Sequence, residues 1–234
     1  FDIIHWHTDY LHFPVARRIG TPQLTTLHGR LDLPDLRAIY DEYGDMPVVS
    51  ISEAQRTPLP QARWVATVQH GLPADAYAAG AGDGGYFAFL GRISPEKRVD
   101  RAIRIAIEHG TPLKIAAKID RADEEYYARE IAHLLDHPLV EFIGEIGENE
   151  KQDFLGSALA LLFPIDWPEP FGLVMIEAMA CGTPVIAYRA GSVPEVMVDG
   201  VTGFVVDDDA AAIAAAARVR ELDRRAIRRT FEER

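Results

Sequence analysis

Two carboxylates, Glu169 and Glu177, bracket the middle of a stretch from Asp166 to Pro184 that reads D-W-P-E-P-F-G-L-V-M-I-E-A-M-A-C-G-T-P. The apolar run Leu159 to Phe163 before it reads as a buried strand, and the apolar run Gly172 to Ala180 within it reads as a helix. Between the carboxylates lie the backbone amides of Phe171, Gly172 and Leu173, which a helix start leaves as hydrogen-bond donors. If most of the interval is helical, the carboxylates stand up to ~12 Å apart along the axis. That span suits gripping a sugar nucleotide at both ends, hexose at one and ribose at the other. The plainer alternative has Glu169 capping a turn and Glu177 on a solvated helix face.

Two further constellations follow strand-like runs. Gly91-Arg92-Ile93-Ser94-Pro95-Glu96-Lys97 comes after Tyr86 to Leu90. Arg92 from the loop and Lys97 from a helix start, which Pro95 suits, could converge on one anion. An arginine fork and a lysine point charge together offset negative charge building on a leaving diphosphate. The other is Thr25-Thr26-Leu27-His28-Gly29, which sets His28 just past a strand end, with a glycine beside it that permits close approach. Gly144-Glu145-Ile146-Gly147 follows a third strand and, taken alone, is an ordinary loop.

The elements that must position these residues alternate. Phe1 to His7, Gln23 to Leu27, Pro47 to Ile51 and Trp64 to Gln69 read as strands, with helical patterns over Tyr10 to Arg18 and Pro34 to Tyr43. Six more strands are expected near Tyr86 to Leu90, Leu113 to Lys118, Val140 to Ile143, Leu159 to Phe163, Pro184 to Ala187 and Gly203 to Val206, with a helix in each interval. The Ala-rich run Ala210 to Ala217 and the charged segment to Arg234 close the chain as two helices. Such alternation gives parallel sheets with helices on their faces and places ligands at the carboxyl ends of the strands.

The E-P-F-G-L-V-M-I-E segment resembles the E-x7-E motif of retaining glycosyltransferases of the GT-B superfamily, the group of the glycogen synthases and the bacterial family 4 transferases. The resemblance extends over most of the chain. It implies an α/β fold of GT-B type: a doubly wound parallel-sheet C-terminal domain at 86–234, which holds the nucleotide sugar, and a partial Rossmann-like N-terminal domain at 1–77 on the acceptor side, with a linker at 78–85. It also implies roles. Glu169 lies by the donor hexose, and the amides of Phe171, Gly172 and Leu173 meet sugar hydroxyls and phosphate. Glu177 holds the ribose, Arg92 and Lys97 the diphosphate, and backbone near Ile146 the nucleobase edge; His28 sits close to the transferred hexose.

The activity so implied moves a hexose from a nucleoside diphosphate to an acceptor hydroxyl with retention. With one carboxylate at the hexose, same-face attack is expected, the leaving phosphate taking the acceptor proton. No metal or other cofactor is expected; UDP-glucose is the first donor guess, GDP-mannose the second, and the acceptor is a carbohydrate or lipid-linked group. Other readings are a sugar-nucleotide epimerase or phosphorylase of the same fold, or an idle nucleotide-sugar-binding fragment. The family's longer N-terminal domain carries a glycine-rich loop that nothing here matches, so a missing N-terminal segment or a partner chain is expected to complete the sheet.

Several features exclude other classes. Acidic residues outnumber basic ones by 36 to 24 over 234 residues, a formal charge of −12, which disfavours nucleic acid and anionic membrane surfaces. No apolar run reaches the ~18 residues of a membrane span, and the reading is cytoplasmic. The lone cysteine, Cys181, excludes an internal disulfide and reads as a packed small residue. Gly80, Gly82 and Gly85 formally fit G-x-G-x-x-G, but the run precedes a strand and so reads as linker. Asp207-Asp208-Asp209 formally fits a D-x-D metal site but precedes the Ala-rich helix and reads as an N-cap. His5 and His7, with His12 or Asp9, make a poor metal set, and His70-Gly71 marks a strand end.

Overall fold

A computed structural model describes residues 2–234, which fall into two compact units. The first runs to His70 and takes in Pro168–Phe171; the second comprises Gly71–Trp167 and Gly172–Arg234.

The first unit holds four parallel strands in sequence order, β1 (Ile4–Trp6), β2 (Gln23–Thr26), β3 (Pro47–Ser50) and β4 (Arg63–Thr67). The expected strand over Phe1 to His7 begins at a residue outside those described; its described part is β1. Helices α1 (Phe13–Ala16), α2 (Pro34–Glu42) and α3 (Glu53–Arg56) connect them. The helix expected over Tyr10 to Arg18 is a single turn, because His12-Phe13-Pro14 starts it late and Ile19-Gly20 ends it early. Phe13, Leu27, Leu36, Tyr40, Val48 and Leu59 form the core, with Phe13 meeting Tyr40 edge to face.

The second unit is a six-stranded parallel sheet in the order β10-β9-β8-β5-β6-β7. Its strands are β5 (Phe87–Arg92), β6 (Leu113–Lys118), β7 (Val140–Gly144), β8 (Ala160–Phe163), β9 (Val185–Tyr188) and β10 (Gly203–Val206). Its helices are α4 (Val99–His109), α5 (Glu124–Tyr126), α6 (Glu148–Ser157), α7 (Leu173–Ala180), α8 (Val193–Val196), α9 (Asp209–Ala216) and α10 (Arg224–Glu233). β8 and β9 are buried at every residue, the pattern of strands covered on both faces. The order reverses direction between β5 and β8, where Phe87 pairs with Ala160. A doubly wound sheet opens its ligand crevice beyond the carboxyl ends of the strands at that reversal.

Residues 78–85, expected as a linker, lie within the second unit and are fastened to it. The amides of Gly80, Gly82 and Gly84 donate to Cys181, Gly156 and Ser157 carbonyls, each at 2.9 Å. A Cβ on Gly80 would fall 2.2 Å from the Gly156 oxygen. The glycines therefore serve close backbone packing as well as turning. Arg224 closes the same seam, its guanidinium donating to the Gly80, Gly156 and Ala158 carbonyls.

Candidate functional site

At the reversal, β5 changes character along its length: Phe87, Ala88 and Phe89 are buried, whereas Gly91 and Arg92 are exposed. Ala116 and Ala117 at the end of β6 are small, and the space they leave is part of a pocket of about 350 Å³. Arg92 and Lys118 line it from the strand ends, Glu145 and Ile146 from the loop after β7, Lys151 from α6, and Leu173, Val174 and Glu177 from α7. Of the residues singled out in the sequence, the pocket brings together Arg92, Ile146, Leu173 and Glu177.

Each is placed by a local cause. Among the described residues, Arg92 is held by two long contacts of 3.4 Å, to Asp120 and Glu96, and is half exposed, so both contacts are weak. Asp120 also accepts from Lys118 at 2.9 Å, and that hydrogen bond, with Arg92 beside it, holds the Asp120 carboxyl below its usual range. Glu177 sits in the middle of α7, where Met175, Ile176, Ala178, Met179 and Ala180 are all buried; it is itself 8% exposed. The solvated-face alternative for Glu177 is thereby overturned, because its face of the helix packs inward. A carboxylate so placed needs a partner, and Lys151 supplies it at 2.8 Å. Burial pulls the Lys151 amine down, but its hydrogen bonds to Glu177 and Glu148 outweigh that and leave it raised.

The turn before α7 departs from expectation. The helix begins at Leu173, not Gly172, and Gly172 takes a left-handed φ of 77°. A Cβ there would meet the Met175 methyl at 2.8 Å and the Phe163 ring at 3.2 Å. The helical rise therefore applies only to the second half of the Glu169–Glu177 interval, and the axial ~12 Å estimate, which assumed a mostly helical interval, does not hold. Lys97 ends a short 3-10 turn at Pro95–Lys97 and sits over two rings, 5.2 Å from the Trp167 centroid and 5.6 Å from that of Phe163. It is not among the residues lining the Arg92 pocket.

Glu169 and Phe171 belong to the first unit and are buried. The Phe171 ring meets His70 edge-on at 5.1 Å. His70 stacks on His28, and His28 on His7, at 5.1 and 5.0 Å, and His7 Nδ1 lies 2.7 Å from His28 Nε2. Burial, and then the neighbouring histidines, hold the His28 and His70 imidazoles below their usual range. The loop that presents His28 is clamped by buried Gln55, whose amide nitrogen donates to the Leu27 and Gly29 carbonyls at 3.1 and 2.9 Å. Among the described residues, no group of three or more His, Cys, Asp or Glu is arranged to hold a metal. His5 bonds Thr26 at 2.8 Å, and Asp208 caps α9 by accepting from the Ala211 amide at 2.8 Å.

The sequence profile of the family Glycosyl transferases group 1 matches residues 79–231. The chain belongs to that family. It is 31% identical over 226 residues to the D-inositol 3-phosphate glycosyltransferase of Streptomyces avermitilis, covering 88% of this chain and 47% of the relative. It is likewise 31% identical over 129 residues to the Alpha-maltose-1-phosphate synthase of Mycolicibacterium smegmatis, covering 53% and 33%. The chain thus spans about half the length, or less, of these curated relatives. Among solved structures, the sucrose-phosphate synthase of Thermosynechococcus elongatus superposes with a TM-score of 0.81 at 19% identity, over 97% of this chain and 66% of that one. Anabaena Alr3699/HepE in complex with UDP-glucose superposes with a TM-score of 0.71 at 21% identity, over 99% and 78%. This member of the family has the α/β fold, with parallel sheets, of GT-B glycosyltransferases.

No sequence pattern singles out Lys151, Lys118, Gln55 or His70 as a site residue. Lys151 and Gln55 act through partners distant along the chain, and Lys118 merely ends a strand. His70 lies past a strand end, as His28 does, and that shared position was the one available signal.

Proposed function

We propose that this chain carries the nucleotide-sugar site of a retaining, family 4 glycosyltransferase that moves a hexose from a nucleoside diphosphate to an acceptor hydroxyl. The observation that carries the reading is the convergence of Arg92, Ile146, Leu173 and Glu177 on one pocket at the strand-order reversal. In this reading Arg92 grips the diphosphate, joined by Lys97, and Glu177 accepts from the ribose hydroxyls. Backbone near Ile146 meets the base. The amides of Phe171, Gly172 and Leu173 meet the sugar and phosphate, with Glu169 and His28 flanking the hexose. The reaction is same-face displacement: the bond from the sugar carbon to the phosphate oxygen breaks as the acceptor oxygen bonds the same face. The departing phosphate takes the acceptor proton, and Arg92 stabilises the charge left on it.

UDP-glucose is the favoured donor, supported by the UDP-glucose complex of a structural neighbour, with GDP-mannose second. The acceptor is a carbohydrate or lipid-linked hydroxyl, and no metal is required. Calorimetric titration with UDP, GDP and ADP, with and without magnesium, tests the site without an acceptor. Micromolar binding of one nucleotide, about −8 kcal/mol and indifferent to magnesium, is expected; no binding by any of them refutes the reading. Arg92→Ala is expected to lower turnover of the donor by roughly 10²–10³-fold, the scale for removing one preorganised donor to a developing charge. Unchanged turnover would remove Arg92 from the mechanism.

A further inference from the structure

Glu177 has a partner that shapes what it can bind. Lys151 Nζ donates to Glu177 Oε1 at 2.8 Å and lies 2.9 Å from Glu148 Oε2. Glu148 is itself anchored, because the Tyr77 hydroxyl donates to its other oxygen. Lys151 is therefore held from two sides, and its side chain is 21% exposed against 11% for Glu177. Among the described residues, Glu177 Oε2 has no hydrogen-bond donor, and both Glu177 and Lys151 line the pocket. One oxygen of the carboxylate is thus occupied by protein, and the other is left to a ligand.

We propose that Lys151 is a positioning residue that makes this pocket selective for an intact vicinal diol, the 2′,3′-diol of a ribonucleotide. The inference rests on the nucleotide-site reading above and adds to it a residue and a selectivity. Among the described residues no other cation pairs with the Glu177 carboxylate, so without Lys151 it would be free to turn toward solvent. With Lys151 in place, the tie on Oε1 fixes the rotation of the carboxylate about its last bond. Oε2 then presents lone pairs in one orientation, which a rigid pair of adjacent hydroxyls can match and a ring lacking them cannot.

The experiment compares UDP and GDP with their 2′,3′-dideoxy forms by calorimetry, on the wild-type chain and on Lys151→Met, Lys151→Arg, Lys151→Gln and Glu177→Gln, with thermal melts as a folding check. The wild type is expected to prefer the ribose form by roughly tenfold or more, the worth of a hydrogen bond to a charged group. Lys151→Met is expected to lose most of that preference, and Lys151→Arg to regain part of it, since a guanidinium can still donate to Oε1. If Lys151→Met melts well below the wild type, the contrast between Lys151→Arg and the neutral Lys151→Gln decides the same question. The inference is overturned if the lysine variants weaken both sugar forms by one factor, which would make Lys151 a phosphate ligand, or if they leave the preference intact while Glu177→Gln abolishes it. Failure of the wild type to bind either nucleotide, or an undiminished preference in Glu177→Gln, refutes the nucleotide reading itself and the inference with it.

Discussion

Gln55 carries three hydrogen bonds that shape the loop presenting His28: its side chain accepts from the Ile51 amide at 2.9 Å and donates to the carbonyls of Leu27 and Gly29. Gln55→Leu keeps the bulk and strands those groups in a buried setting, and is expected to cost roughly 3 kcal/mol or more, read as a lower denaturation midpoint for the first unit. Cys181 gives a second residue-scale expectation. Burial pushes its thiol up to about 11, and it is fully buried. Native protein is therefore expected to react with a thiol reagent far more slowly at pH 8 than unfolded protein, and equal rates would contradict the packing. At this scale the sequence revealed residues whose chemistry is local: Arg92 after a strand, and Glu177 at a fixed distance from Glu169. It did not reveal Lys151 or Gln55, because their importance lies in partners 26 and 28 positions away. No short spacing encodes a pairing of that reach.

Among the elements, residues 80–84 and the end of α6 meet in a close backbone approach. Gly80→Ala would drive a methyl group into the Gly156 peptide, where no side chain can move aside, and is expected to destabilise the second unit by about 1–3 kcal/mol or more. Gly85→Ala meets no atom within 4 Å and carries only the strain of its left-handed φ of 73°, so the two variants separate packing from conformation in a thermal melt. The strands of the second unit were legible within a residue or two, because each is a short apolar run between polar turns. The crossover between β6 and β7 was legible only as helix. It is a 3-10 turn at Arg121–Asp123, the single turn α5, a π-helical stretch at Tyr127–Ile131 and another 3-10 turn at Ala132–Leu134. Tyr126, Tyr127, Leu134 and Leu135 pack on the core together with buried Ile131. Tyr126 and Ile131 stand five residues apart, a spacing that the wider π turn brings to one face and an ideal α-helix does not.

For the whole molecule, the two units have separate cores and different titrating groups. His12, His28 and His70 all lie in the first unit, and burial holds each below the ordinary histidine range. Their protons are bound more readily by the unfolded chain, so the sign is fixed: stability of the first unit is highest above about pH 6.5 and falls as the pH drops through that value. The carboxylates held low in the second unit, Asp100, Asp120 and Glu148, act only nearer pH 4 and below. Melts followed at pH 7.5 and 5.5 should therefore show the transition of the first unit moving down while that of the second holds. His70→Gln should reduce the shift. A shift of both transitions by the same amount would contradict this division.

The strand order of the second unit also has a consequence in time. β5 takes β8 as one neighbour and β6 as the other, and β8 is made only after β6, β7 and three crossovers have been synthesised. At roughly 5–20 residues per second, several seconds of translation separate the two flanks of β5. During that interval a strand whose first three residues are wholly apolar waits with one edge unpaired. The crevice at the reversal cannot exist until β8 arrives, so the nascent chain has no ligand to stabilise it in its most exposed phase. Conditions that slow translation between β7 and β8 should thus raise aggregation of this chain without altering the stability of the molecules that complete it.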